Sequence, residues 1–118
     1  MEEISPWLSL SFILTVPTGF VFFLVGILLF LKPPKSINSW YGYRTPNAMK
    51  SQERWDFAQV YAAKLMVIVG FLLVILGYGI QYLPVRNEMI SVIGFPFFFI
   101  AVLGLMGFTE KAIDKQFK

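Results

Sequence analysis

Three stretches of this chain carry no charged residue: Ile4 to Leu31, Leu65 to Val85 and Met89 to Thr109. The second and third are 21 residues each, which as α-helix rising 1.5 Å per residue span roughly 31 Å, the thickness of a bilayer's hydrocarbon core. The first, at 28 residues, exceeds the roughly 20 that a spanning helix needs. Inside lipid every backbone N–H and C=O must be satisfied internally, so single apolar runs of this length cross only as helices. The alternating segments of about ten residues that build a membrane β-barrel are absent. Composition agrees, with 57% hydrophobic and 14% charged residues against roughly 45–50% and about 25% in soluble domains. The expectation is an all-α integral membrane protein. It has three transmembrane helices at about 5–31, 51–83 and 88–112 and a polar loop at 32–50, all within one membrane domain, 1–118.

The distribution of Lys and Arg orients these helices. None precedes the first, whereas Lys32, Lys35, Arg44, Lys50 and Arg54 lie between the first and second. Arg86 alone lies in the second connection, and Lys111, Lys115 and Lys118 lie in the tail. The positive-inside rule places the amino terminus outside and the loop and carboxyl tail in the cytoplasm. The acidic start, Met1-Glu2-Glu3, lacks the basic n-region of a signal peptide, so the first run reads as a retained span. Pro33 and Pro34 stop helix one. Ser51 is the expected N-cap of helix two, with Glu53 suited to its positive end. Basic flanks favour an anionic membrane surface over nucleic acid.

At 100° per residue, Thr15, Thr18, Gly19 and Gly26 fall, with Ser11 and Phe22, within about a 100° arc of helix one. Gln59, Ala63, Gly70, Gly77 and Gln81 share a narrower arc of helix two. Small residues let helix backbones approach closely in lipid. These faces are expected to pack together, with a ligand groove as the alternative. Pro17 and Pro96 fall inside helices and bend them, as packing features or as hinges. Helix three shows no coherent polar face and is expected to face lipid or another copy. Lys64 sits at the edge of an apolar run, where its stem can snorkel to the headgroups; the alternative is a paired functional role.

Chemistry is sparse. With neither Cys nor His, disulfides, thiol catalysis and the common zinc sites are excluded, and no metal or cofactor is expected. The hydroxyls of helix one have no base in the same span to activate them. Carboxylates, on which proton relays depend, are missing from the spans. The chain therefore reads as a non-enzyme. Its chemical density lies in the loop, where Trp40, Tyr41, Tyr43 and Trp55 are interleaved with Asn38, Arg44, Lys50, Glu53, Arg54 and Asp56. Gly42 there allows a tight turn. An interfacial belt of aromatics and cations is one reading. A built site, with Arg44 gripping Glu53 or Asp56 bidentately, is the other.

The run Asn38-Ser39-Trp40-Tyr41-Gly42-Tyr43-Arg44-Thr45, followed by Met49-Lys50-Ser51 and Glu53-Arg54-Trp55, resembles the signature of the SdpI family, small bacterial membrane immunity proteins. On that resemblance Asn38, Tyr41, Gly42, Tyr43, Arg44, Thr45, Lys50, Ser51, Glu53 and Trp55 occupy motif positions. It implies a protein of the bacterial cytoplasmic membrane that protects against a secreted membrane-active toxin peptide. It also implies signalling to a cytoplasmic regulator, as in a larger member of the family. The other expected partners are the lipid bilayer and a second copy in a homo-oligomer. A small oligomeric transporter or channel subunit is the alternative, as is a scaffold that recruits a cytoplasmic protein through the loop.

Overall fold

The computed structural model describes residues 10–118 of the chain, so the part of helix one expected at 5–9 lies outside the described residues. Three helices form an elongated bundle with a longest dimension of 57 Å. Helix α1 is Leu10–Leu31, α2 is Gln52–Gly79 and α3 is Asn87–Gln116. A 3₁₀ turn, Ala48–Lys50, precedes α2, and another, Ile80–Tyr82, ends it. All three helices are long and apolar enough to cross a membrane.

Local chemistry sets the helix ends. The Lys32 N–H still reaches the Leu28 carbonyl at 2.8 Å, and then Pro33 and Pro34, which have no N–H, end α1. Ser51 is extended at φ −154° and its hydroxyl accepts the Arg54 N–H at 3.1 Å, which relieves one of the N–H groups left over at the start of a helix. Glu53 follows in the first turn, at the positive end of the helix dipole. α3 continues past 112 to Gln116, because Ile113 on its last turns is fully buried. Pro17 and Pro96 are accommodated inside α1 and α3, with both rings exposed.

The closest packing joins α1 to α2. A Cβ added at Gly70 would stand 2.5 Å from the Gly19 carbonyl oxygen, and one at Gly19 would stand 2.6 Å from that of Gly70. Gly26 lies against Val67 and Ala63, and Gly77 lies against Thr15 and Val16. Thr15 is fully buried there, and Thr18 is partly buried. Since lipid tails are as apolar as the helices, association in a bilayer relies on close packing rather than on a hydrophobic drive. α3 completes the bundle through Ile90, Gly94, Leu105, Thr109 and Ile113, while Val92, Ile100, Leu103 and Phe108 face outward. Buried Thr109 returns its hydroxyl to the Leu105 carbonyl at 2.7 Å, so it brings no unsatisfied polar group into the packed face. Beyond Thr109 the helix carries on into a polar end that turns Glu110 and Asp114 toward the loop.

Candidate functional site: a polar loop clasped onto two helix ends

The loop is held by side chains that bond backbone. Asn38 starts it: its Oδ1 accepts the N–H groups of Trp40 at 2.9 Å and Tyr41 at 2.7 Å, an Asx turn that folds the chain back on itself. The Tyr41 hydroxyl donates to the Lys32 carbonyl at 2.8 Å, closing the loop onto the end of α1. Gly42 takes φ 104°, a left-handed conformation in which L side chains are strained. A Cβ there would also collide with the Gln59 Oε1 and with the Pro34 ring. Glycine is thus required twice over.

Behind Gly42 the loop meets α2. Gln59 is fully buried and acts toward Tyr43 as a strand neighbour would. Its Oε1 accepts the Tyr43 N–H at 2.7 Å and its Nε2 donates to the Tyr43 carbonyl at 2.8 Å. One amide satisfies both backbone groups of a residue that has no secondary structure to do so. One turn earlier on α2, Trp55 is completely buried and donates its indole N–H to the Pro34 carbonyl at 2.8 Å, and Gln52 reaches the Lys35 carbonyl at 2.6 Å. Three successive turns of α2, at Gln52, Trp55 and Gln59, therefore grip the loop.

α3 closes the other side. The Tyr43 hydroxyl donates to the Glu110 carboxylate at 2.6 Å. Asn47 donates to Glu110 at 3.0 Å and to Asp114 at 2.9 Å, while its own oxygen accepts from Arg54 at 2.7 Å. Arg54 also donates to the Phe117 carbonyl at 3.0 Å, its guanidinium 5.5 Å from the centre of the Phe117 ring. Beneath these bonds Ala48, Ala58 and Ile113, one residue each from loop, α2 and α3, form a dry contact flanked by Tyr43, Phe57 and Phe117. Desolvation, followed by the adjacent Glu110 carboxylate, pushes the Tyr43 hydroxyl well above the ordinary tyrosine range, so it remains a neutral donor at physiological pH.

The motif residues divide into two groups. Asn38, Tyr41, Gly42, Tyr43 and Trp55 hold the clasp, and Ser51 caps α2. Thr45 accepts the Ala48 N–H at 3.2 Å and starts the turn that buries Ala48. Arg44, Lys50 and Glu53 are exposed. The Arg44 guanidinium donates to the Ser39 carbonyl rather than to Glu53 or Asp56. In place of the bidentate grip of the built-site reading it forms a brace within the loop, and Arg54 joins the loop to the helices. Trp40, 78% exposed, stays outside. Sequence reasoning missed Asn47, Glu110, Asp114 and the clamp made by Gln59. The available signal was the pair Glu110 and Asp114, four residues apart and so on one face of a helix just past its apolar run.

This arrangement defines a multi-pass helical membrane protein whose one polar loop is folded as a cap over two helix ends. The chain belongs to the SdpI/YfhL protein family, which matches residues 35–109, from the loop through the apolar part of α3. It is similar to "uncharacterized protein YfhL" of Bacillus subtilis (strain 168), with 50% identity over 62 residues that make up 52% of this chain and 54% of that protein. The chain thus spans about half the length of the curated relative it matches. No solved structure matches it.

Proposed function

We propose that this chain is a non-enzymatic immunity protein of the bacterial cytoplasmic membrane that protects its host against a secreted, membrane-active toxin peptide. The observation that carries the reading is that the family match, over residues 35–109, takes in the loop, α2 and the apolar part of α3, and that the motif residues Asn38, Tyr41, Gly42, Tyr43 and Trp55 are among those holding the loop in place. Lys and Arg cluster at the loop end of the bundle, which supports an amino terminus outside and a loop and tail in the cytoplasm. A toxin arriving from outside then meets the helices and their outer ends first. The clasp fixes the spacing of the helices from the inner side and presents Trp40, Arg44 and Lys50 to a cytoplasmic regulator.

Expression of the full chain in a toxin-sensitive strain tests this reading. Wild type should raise survival by about tenfold or more. Trp55→Ala, which removes the buried anchor, should abolish protection, and Arg44→Ala should reduce it less. Lack of protection by wild-type protein that has reached the membrane would overturn the proposal.

A further inference from the structure

Apolar clefts run along the bundle between its described helices. The one between α2 and α3, about 250 Å³, is lined by residues such as Leu65, Leu72, Phe97 and Phe108 with no polar side chain among them. The one between α1 and α2, about 410 Å³, is formed by Ile27, Phe30, Leu31, Val67 and Ile68, and Lys64 completes it. That volume is within the roughly 300–1,000 Å³ of ligand pockets. A single cation on a wholly hydrocarbon wall is the chemistry of an amphiphile with an anionic head.

The helix register sets the depth of that cation. Gly26 of α1 lies against Ala63 and Val67 of α2, so Lys64 is level with about residue 27. The α1 end at Lys32 is about five residues, or roughly 7.5 Å, further toward the loop. Side chains on a helix tilt toward its amino terminus, and the amino terminus of α2 is at the loop. The Lys64 stem is therefore directed along the cleft past Phe30 and Leu31, bringing its ammonium up to headgroup depth. Lys64 forms no salt bridge among the described residues and is exposed on the cleft wall. Lys32 and Lys35 follow at the exit of α1, both exposed.

We infer that the cleft between α1 and α2 is a binding site for an anionic phospholipid, one acyl chain lying against Ile27, Phe30, Val67 and Ile68 and the phosphate held by Lys64. The inference depends on the bundle crossing a membrane and not on its orientation or its role in immunity. A retained lipid here would fill the open side of the α1–α2 seam next to the clasp.

Native mass spectrometry of the full-length protein, titrated with phosphatidylglycerol or with phosphatidylcholine of identical chains, reads this directly. Wild type should retain phosphatidylglycerol about fivefold more strongly, as expected for one cation at an anionic headgroup. Lys64→Met should bring the two lipids to parity, and Lys64→Arg should keep the preference. Ile68→Trp, which fills the cleft and leaves the lysine in place, should lower retention of both lipids and guards against misfolding of the methionine variant. An undiminished preference in Lys64→Met would overturn the inference. So would equal retention of both lipids by wild type, or a dimer forming at this face with no lipid bound.

Discussion

The α1–α2 seam and the loop clasp are held together by opposite means. In the seam the helices approach until backbone meets backbone at Gly19 and Gly70, so close fit between small residues brings them together. In the clasp the apolar contact of Ala48, Ala58 and Ile113, flanked by Tyr43, Phe57 and Phe117, is joined by side-chain amides, hydroxyls and an indole that satisfy loop backbone. The difference follows the solvent. Where lipid surrounds the helices, apolar burial gains nothing and only close fit holds them. Where water competes for every polar group, a loop keeps one shape only if its buried backbone is fully bonded.

The seam should be the more brittle of the two. Gly70→Leu or Gly77→Leu forces a side chain into the backbone or side chains of α1, at a cost of about 3 kcal/mol or more. The expected result is loss of folded protein from detergent extracts, scored by size-exclusion chromatography. Gly104→Leu, at a position with nothing within 4 Å, should be tolerated. Equal behaviour of the Gly70 and Gly104 variants would show that the seam does not hold the bundle.

The clasp should fail more locally. Gln59→Leu keeps the bulk but leaves the Tyr43 N–H and C=O without their partner, at about 1–3 kcal/mol for each group. Amide exchange in the loop should accelerate at least tenfold while exchange in the middle of α1 is unchanged. A uniform acceleration would mean that loop and seam are one cooperative unit.

The smallest effect is expected at Tyr43. Its hydroxyl has a folded pKa above the ordinary value, so its contribution to stability is complete below the unfolded pKa of about 10. It is lost as pH rises from there through the folded pKa. Tyr43→Phe should therefore be less stable than wild type at pH 8, with the gap closing as pH is taken above 10, as read by thermal unfolding in detergent. A gap that does not change with pH would remove the Tyr43 hydroxyl from the clasp's energetics.

The membrane architecture was legible because three uncharged runs of bilayer length leave the backbone few choices. The small-residue faces were readable too, since helical periodicity is local: Gly70 and Gly77 share a face whatever surrounds them. The clasp was legible only as a list of residues. Gln59 falls on the packing face by helical arithmetic, but its bond to Tyr43 depends on the path of a loop 16 residues earlier in the chain, and that path is set by the Asn38 turn and by Gly42. For Arg44 the reading with a carboxylate partner does not hold: charge pairing pointed to Glu53 or Asp56, whereas the loop turns its guanidinium back onto the Ser39 carbonyl, an acceptor that no side-chain pattern announces. The contribution of α3, 63 to 67 residues from Asn47 and Tyr43, has no local sequence trace beyond the Glu110–Asp114 pair.

The contact between loop and α3 is the most distant in sequence of the clasp's bonds, and it can be tested with no background because the chain has no cysteine. Asn47→Cys and Asp114→Cys should be introduced together and treated in native membranes with a short bis-methanethiosulfonate reagent. A clasped loop predicts rapid intramolecular crosslinking, read as a gel shift that is lost when Gln59→Leu is added. Failure to crosslink, with both cysteines shown to react singly, would contradict the claim that the family motif folds as a cap across α2 and α3.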